Sequence, residues 1–239
     1  MGKFPKDMKY LQERIGYLFE NAELLERALT HSSYSNETKT HGCEKPCNER
    51  LEFLGDSVLS LIVSEYIFNR YKDRPEGDLT RMRADVVCER ALSGFAKEIG
   101  LGDYLFLGHG EDINSGRSRA SILADAFEAL IAAVFLDAGE DGKEKVSAFL
   151  LPLVVGSLEK EKQILDCKTE LQQLVQQVGG EILEYAVVGE QGPDHLKVFS
   201  VEARLNSNVI GRGEGRTKRE AEQAAARQAL ALFGEIAEG

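Results

Sequence analysis

The sequence predicts two domains, an all-helical domain over residues 1–158 and a smaller α-β-β-β-α domain over residues 166–236. Apolar residues recur at helical spacing through the first part of the chain, and no run there alternates in the way typical of a strand. After the charged run 159–162 the pattern changes to short alternating runs between two helical segments. We therefore predict a multidomain protein of the α and α+β classes, with residues 159–165 as a linker.

Capping and breaking residues place the helices of the first domain. Asn21 is a typical N-cap and predicts a helix over the leucines and alanines that follow it. Polar residues with Gly42 and Pro46 predict a loop over 34–47, and apolar periodicity predicts a long helix from Glu49 toward Tyr71. The other predicted elements are a helix over 79–99, a glycine-rich loop over 102–116, and helices over 118–136 and 143–152.

The second domain is predicted from alternation and from a helix cap. An amphipathic helix is expected over 169–178. Three alternating runs predict strands around residues 183–187, 199–205 and 209–210. Thr217 and Glu220 form the pattern of a capping box, so an alanine-rich helix is expected from there to Phe233.

The bulk composition bounds the classes of function. The chain has 239 residues, a formal net charge of -11 and four cysteines spaced far apart. The acidic balance argues weakly against nucleic-acid binding, so an anionic partner must meet local basic patches. We find no signal-peptide pattern and no run of about 20 apolar residues, so we expect a soluble, cytoplasmic protein with free thiols and no membrane partner.

Three carboxylates stand at helical spacing at the start of the long predicted helix. Glu49, Glu52 and Asp56, at i, i+3 and i+7, fall on one helix face beside a run of apolar side chains. Stacked like charges repel, and their burial beside apolar groups costs much more unless a cation neutralises them. A divalent metal ion neutralises such a group, so this stripe predicts a functional site.

A second acidic pair has the same spacing. Asp125 and Glu128 lie at i and i+3 in an almost wholly apolar helix. The economical arrangement packs the two acidic helices together, so that this pair converges with Glu52 and Asp56. Ligation by oxygen alone favours a hard cation, Mg²⁺ or Mn²⁺, of the kind that activates water in phosphoryl transfer.

Two alternatives stand beside the metal site. Each acidic pair also fits a solvated helix face, or an ion pair with an arginine such as Arg50, Arg81 or Arg83. Two pairs inside apolar runs favour the metal. Gly55, between the acids, costs about 1 kcal/mol inside a helix. Its presence indicates tight packing at that point, with plain sequence drift as the alternative.

The stretch Asn48–Val58 resembles the signature of ribonuclease III, the Mg²⁺-dependent endonuclease of double-stranded RNA. The resemblance continues in the family's order at Ala28–Tyr34, Glu76–Thr80 and Leu123–Asp137. It implies a helical catalytic domain that dimerises.

Roles in the reaction follow from this resemblance, position by position. It implies that Glu52, Asp125 and Glu128 are metal ligands. It also implies that Asp56 and Glu128 are the catalytic residues.

The resemblance extends to residues around that site. Glu49 and Glu76 match further acidic positions that line the cleavage site. Phe53 resembles an aromatic residue that inserts into the partner subunit, and an ordinary core phenylalanine is the alternative. We expect His31 to brace its loop, because metal-activated water needs no histidine base.

The second predicted domain resembles a double-stranded-RNA-binding domain, a module that reads duplex shape over about 16 bp. Three groups of residues match it: Thr169, Gln172 and Gln176 on the first helix; His195 in the loop after the first strand; and Arg216, Lys218 and Arg219 at the start of the last helix. A helix N-terminus with cationic side chains favours phosphate.

The two resemblances together imply an endoribonuclease that hydrolyses duplex RNA to 5′-phosphate and 3′-hydroxyl ends. They imply a homodimer without a small-molecule cofactor, and ribosomal RNA precursors as substrates, with some messenger and transfer RNA precursors. Two other classes stay open. A non-catalytic RNA-binding protein has no need of the four carboxylates, and a small-molecule metal hydrolase keeps its activity without residues 166–239.

Overall fold

The structure, a computed structural model, describes residues 6–40, 42, 45–178, 181–192 and 197–234, without the side chains of 160–166, 177 and 178. The chain divides into two compact units, residues 1–157 and residues 158–239, which we call unit 1 and unit 2. None of the described helices combines the length and the apolar composition needed to span a bilayer.

Unit 1 is helical, as the sequence predicts. Its helices are α1 (Met8–Ile15), α2 (Ala22–Ala28), α3 (Ser32–Thr40), α4 (Glu49–Arg70), α5 (Glu76–Val87), α6 (Glu89–Glu98), α7 (His109–Ile113), α8 (Ala120–Asp137) and α9 (Gly142–Val178). Short 3-10 turns occupy residues 101–104, 116–118 and 139–141. Helix α9 begins in unit 1 and ends in unit 2.

Helix α8 forms the centre of unit 1. It is apolar almost all round, which is typical of a buried helix, and 11 of its 18 residues are buried. Helices α2, α4 and α6 pack against it. Phe127 of α8 is fully buried, and its ring centroid lies 5.9 Å from that of Phe95 and 5.6 Å from that of Phe149. The acidic pair of α8 therefore occupies the narrow strip that this core leaves uncovered.

The start of α2 is fixed by two side chains. Asn21 caps the helix as predicted, since its side chain accepts a hydrogen bond from the N–H of Glu23. Asp137, at the end of α8, accepts from the N–H groups of Glu20 and Asn21 and from the hydroxyl of Tyr17. These bonds tie the N-terminal helices to the end of α8.

The predicted loop over 34–47 is wrong in its first part, because α3 extends to Thr40. No residue of α3 is buried, so the segment lacks the apolar periodicity by which a helix is recognised. Contacts with the α7 region hold it. The Ser33 hydroxyl accepts from the N–H of Gly108, and the Glu37 carboxylate accepts from the N–H of His109.

Two further boundaries differ from the prediction. The helix predicted over 79–99 is divided at Cys88, whose extended backbone (φ -76°, ψ 157°) separates α5 from α6. No glycine or proline marks this break, so the pattern hides it. The glycine-rich segment 102–116 is not all loop, since it contains α7.

The helix that we predict over 143–152 ends at its proline, whereas α9 continues past it. Pro152 lies inside the helix. A proline there costs about 3 kcal/mol, and the burial of Phe149, Leu150 and Val154 on neighbouring turns opposes that cost. Residues 159–165, which we predict as a linker, are helical as part of α9. The assignment of the two functional domains stays a prediction.

Unit 2 contains the predicted α-β-β-β-α arrangement. Strands β1 (Leu183–Gln191), β2 (Val198–Leu205) and β3 (Asn208–Gly215) form an antiparallel sheet in the order β1-β2-β3, followed by α10 (Lys218–Leu232). Asn206 turns the chain between β2 and β3 with a φ of 57°, a conformation that asparagine tolerates. The end of α9 and α10 cover one face of the sheet, where Leu171, Val175 and Leu230 are buried.

Glycines on β3 bring α10 very close to the sheet. Gly211, Gly213 and Gly215 alternate along β3 and so share one face. A Cβ on Gly213 would lie 2.2 Å from the backbone N of Ala225 and 2.4 Å from the carbonyl O of Ala221. This contact fixes where α10 begins, and therefore where its basic first turn lies.

Candidate active site

The acidic residues of α4 and α8 meet where these two helices pack. Glu52, Asp125 and Glu128 each offer a carboxylate oxygen, and these oxygens all lie within 4.8 Å of one another. All three side chains are half-buried. We call these three residues the acid cluster.

Gly55 allows the two helices to approach at this point. It is buried on α4, and a Cβ there would lie 1.9 Å from the carbonyl oxygen of Glu128. No side chain fits in that space, so the backbones of α4 and α8 touch directly. The tight packing that the sequence predicts at Gly55 is confirmed. The contact sets the distance between Glu52 on one helix and the acids of α8 on the other.

Asp56 and Glu49 surround the acid cluster without joining it. Both side chains are exposed on α4. Their negative charges are nevertheless close enough to act on the cluster. The charge of Asp56 raises the pKa of Glu128 and of Glu52, and the charge of Glu49 raises the pKa of Glu52. Three of the four acids that we predict to converge thus lie within 4.8 Å of one another, and Asp56 lies outside that group while its charge acts on it.

The fold keeps the carboxylates of the acid cluster close together although their negative charges repel one another. Burial, and then the charges of Asp56, Glu52 and Asp125, raise the pKa of Glu128 to about 7. Burial is also the largest cause of the raised pKa of Glu52, followed by the charges of Asp125, Glu49 and Asp56. A group of acids whose pKa values are raised in this way is typical of a functional site that binds a cation.

Asp125 has two neighbours that the acid pattern does not reveal. Burial raises its pKa, the positive form of His31 lowers it, and the charge of Glu89 raises it. The Nδ1 atom of His31 lies 2.8 Å from the Ser33 hydroxyl and accepts a hydrogen bond from the N–H of Ser33. His31 is thus braced in its loop as expected, beside the cluster. Sequence analysis missed Glu89, because a lone glutamate at a helix start carries no signal.

The arginine alternative does not hold for the part of the chain that the structure describes. Within the described residues, Arg50, Arg81 and Arg83 form no ion pair with these carboxylates. Arg83 donates to the hydroxyl of Ser64 instead. Three oxygen donors that pair with none of these arginines fit a hard divalent ion, since Mg²⁺ and Mn²⁺ prefer carboxylate ligands.

Two further predicted residues lie outside the cluster. Glu76 is exposed at the start of α5 and accepts a hydrogen bond from the Thr80 hydroxyl. Phe53 is 79% exposed, so the alternative of a core phenylalanine is wrong for this chain. Leu61 and Phe68 are also exposed, and helical spacing places all three on the same side of α4.

The described RNA-binding residues that we predict in unit 2 lie on its two helices or directly before α10. Thr169, Gln172 and Gln176 are exposed on α9, and their spacing places them on one face of that helix. His195 falls outside the described residues.

The basic first turn of α10 is built by a cap. The Thr217 hydroxyl accepts a hydrogen bond from the N–H of Glu220, and the Glu220 carboxylate accepts from the N–H of Arg216. Arg216, Lys218 and Arg219 are all exposed there. Their charges therefore stand at the positive end of the helix dipole, which favours phosphate.

Known proteins resemble both units. Residues 21–154 match the family described as Ribonuclease-III-like, and residues 167–232 match the double-stranded RNA binding motif. The protein named Ribonuclease 3 from Caldanaerobacter subterraneus subsp. tengcongensis is 46% identical over 95% of this chain and 98% of its own length. That from Pelotomaculum thermopropionicum is 47% identical over 92% of this chain and 90% of its own.

A solved structure supports the fold of unit 1. The nuclease domain of ribonuclease III from Campylobacter jejuni is 37% identical, with a TM-score of 0.57, over 63% of this chain and 98% of that domain. Helical nuclease and duplex-RNA module together define a double-stranded-RNA endonuclease. The chain belongs to the ribonuclease III family and is an endoribonuclease.

The contact at Gly55 predicts the effect of a single methyl group. Gly55→Ala must push α4 away from α8, so we expect a loss of about 1–3 kcal/mol in the free energy of unfolding, as for an overpacked core. We also expect weaker binding of Mn²⁺, because the acids separate. Urea denaturation and calorimetric titration measure the two effects.

Gly94 is the matched control for this substitution. It also lies inside a helix, and a Cβ there would meet nothing within 4 Å. Gly94→Ala should therefore stabilise the protein by about 0.5–1 kcal/mol through helix propensity. Equal effects of the two substitutions would contradict the proposed role of the contact.

The raised pKa of Glu128 predicts a dependence of stability on pH. Between an unfolded pKa near 4.5 and a folded pKa of about 7, the folded state binds the extra proton, so the metal-free protein loses stability as the pH rises through this window. Glu128→Gln removes that loss. We expect the variant to be about 1–2 kcal/mol more stable than the wild type at pH 8 in EDTA, and equal to it near pH 4.5.

Urea denaturation at both pH values measures this difference. The exposed Glu140 provides the control, since Glu140→Gln removes the same charge from a residue outside the cluster. A gain by Glu128→Gln that is the same at both pH values would show that packing, not charge, causes it.

Proposed function

We propose that the endoribonuclease depends on Mg²⁺, with Mn²⁺ as a substitute, and that Glu52, Asp125 and Glu128 hold the ion. The observation that carries this proposal is the approach of three half-buried carboxylate oxygens to within 4.8 Å of one another. Their mutual repulsion and partial burial destabilise the ionised cluster, and a divalent cation reverses both effects.

Asp56 and Glu128 are the residues that we propose as catalytic. When bound, such an ion offsets the charge that develops on the phosphodiester and favours the deprotonation of water. Asp56 makes the largest charge contribution to the raised pKa of Glu128, so the two side chains lie near one another, and we propose that they accept hydrogen bonds from the attacking water and orient it. Water adds to phosphorus, the bond to the 3′ oxygen breaks, and that oxygen takes a proton. The products are a 5′-phosphate and a 3′-hydroxyl. Glu49 and Glu76 line the cleavage site.

Unit 2 supplies the preference for duplex RNA. We propose that the exposed face of α9 at Thr169, Gln172 and Gln176 contacts the minor groove, and that the first turn of α10 contacts phosphates. His195 takes the second groove contact. We propose precursors of ribosomal RNA, with some messenger and transfer RNA precursors, as substrates, and the cytoplasm, where such transcripts are processed, as the compartment.

We propose that the active protein is a homodimer joined through α4. Phe53, Leu61 and Phe68 are 79%, 59% and 69% exposed on one side of that helix. Exposed apolar side chains in a row are typical of an interface, because leaving them in water costs free energy. The related nuclease domain from Campylobacter jejuni is described as having a region involved in dimer formation.

Cleavage of long duplex RNA tests the proposed site. Asp56→Ala and Glu128→Ala should each lower the rate in Mg²⁺ by about 100-fold or more, because each loses several kcal/mol of transition-state stabilisation. Glu140→Gln is the control and should cleave like the wild type, since Glu140 is exposed outside the cluster. Product ends are read by labelling the 5′-phosphate.

The same assay separates the competing functions. Duplex binding without cleavage in any divalent ion would leave only an RNA-binding protein. Cleavage that persists at the wild-type rate in Glu128→Ala would place the active site elsewhere. Full activity toward a small phosphodiester after deletion of unit 2 would favour a small-molecule hydrolase.

The exposed row on α4 predicts the oligomeric state. Phe53→Asp should convert a dimer to a monomer at micromolar concentration, because a buried unpaired charge in an interface costs several kcal/mol. Light scattering after size exclusion measures the mass. Leu18→Asp is the control, since Leu18 is 72% exposed but lies outside α4. A monomeric wild type would contradict the proposed interface.

A further inference from the structure

A second lysine, Lys197, lies beside the basic turn of α10, although in the chain it directly precedes β2. The Nζ of Lys197 lies 5.6 Å from the centroid of the Phe199 ring, and the Nζ of Lys218 lies 5.8 Å from the same centroid. Both distances are within the range of cation–π attraction. One aromatic ring thus holds two ammonium groups from segments about 20 residues apart in the chain.

Packing fixes the position of this ring. Phe199 pairs with Gly215 of β3 across the sheet, and it packs against the buried cluster of Val201 and the α10 alanines. The same close approach of α10 to β3 therefore places Lys218 over the ring. Lys197 reaches the same ring from two residues before Phe199 in the chain, directly ahead of β2.

The carboxylate of Glu190, on β1, forms an ion pair with Lys197. Glu190 pairs with Phe199 in the sheet register, and its oxygen lies 2.7 Å from the Nζ of Lys197. The two side chains are 40% and 35% exposed, so water and solutes reach the pair. The hydrogen bond from Lys197, together with the charges of Lys197 and Lys218, lowers the pKa of Glu190. Glu190 is therefore ionised in the neutral range and contacts Lys197 directly, whereas Lys218 acts on it only through its charge.

We propose that Lys197 and Lys218 form a paired phosphate contact on Phe199, and that Glu190 is its internal competitor, which the RNA backbone displaces. Two ammonium groups over one ring repel each other, and an anion between them relieves the repulsion. Without RNA, Glu190 supplies that anion. With RNA, a phosphate supplies it, so the carboxylate keeps the site ordered and lowers its affinity. This inference rests on the proposed use of the α10 turn in RNA binding.

Neutralising Glu190 should raise the affinity of the protein for duplex RNA. An exposed ion pair contributes little to stability, so the loss of order is small. A phosphate that no longer displaces a carboxylate gains the whole attraction of Lys197. We expect Glu190→Gln to bind duplex RNA about two- to five-fold more tightly. Lys197→Gln should bind about three- to ten-fold more weakly and lose about one unit of the slope of log K against log salt.

The experiment uses the full chain and a labelled 30-bp duplex RNA in EDTA, so that binding is measured without cleavage. Dissociation constants are taken at several KCl concentrations for the two single variants, the double variant and Lys197→Arg. The double variant should bind like Lys197→Gln, because Glu190 acts through Lys197. Lys197→Arg should keep wild-type affinity, which excludes a folding defect. Glu26→Gln is the matched control, since it neutralises a glutamate of unit 1 outside α4 that is 37% exposed and paired with Lys45.

The outcomes separate this inference from the proposed RNA surface. If Lys197→Gln binds like the wild type while Lys218→Gln binds weakly, the paired contact is wrong and the α10 surface stands. If Glu190→Gln tightens binding equally in the Lys197→Gln background, or if Glu26→Gln tightens it as much, the effect is one of net charge and the competitor is wrong. If Lys218→Gln and Arg219→Gln also leave the affinity unchanged, the proposed surface fails as well.

Discussion

The direct contact between the backbones of α4 and α8 determines the rest of the active site. Side chains on two packed helices are normally held apart by the residues between them, and interaxial distances of about 8–10 Å are usual. At Gly55 no side chain stands between the helices, and the carbonyl of Glu128 occupies the space of a Cβ. Only this approach lets the short Asp125 and the acids of α4 reach one another. The buried apolar side chains of α8 then hold this helix in place.

The acid cluster stores unfavourable energy in the metal-free protein. Burial and the charges of neighbouring acids raise the pKa of Glu52 and Glu128, while burial and the charge of Glu89 raise that of Asp125, where His31 opposes them. A protein selected for stability alone would place arginines or apolar residues there. Packing of the core around Phe127 offsets the stability that is lost at the acid cluster. A bound cation removes this unfavourable energy. The same charges that lower the stability of the metal-free fold therefore raise the affinity of the site for the cation.

Unit 2 uses a similar close approach for another purpose. Its glycines on β3 admit the α10 helix to within backbone contact, and this places the N-terminus of α10 beside Phe199. A chain with a net charge of -11 can then bind a polyanion, because the cations are gathered at one end of one helix. Glu190 limits how strongly that local charge attracts phosphate. Affinity for duplex RNA is therefore set by local geometry and not by the overall charge.

The sequence by itself determined the fold class, the order of elements in unit 2 and the identity of the acids, because each follows from the spacing of residues along the chain. Periodicity and capping also placed the start of α2 and the acidic stripe of α4. The sequence did not reveal α3, the break at Cys88 or the passage of α9 through Pro152, since these depend on contacts with distant segments.

Only the tertiary structure decided which acids meet, how far each is buried, and that Glu89 and His31 act on Asp125. It also decided that Lys197 and Lys218 share one ring and that Glu190 pairs with Lys197. The physical reason is that spacing along one helix or strand fixes which face a residue occupies. The distance between two faces depends instead on the packing of the elements that carry them.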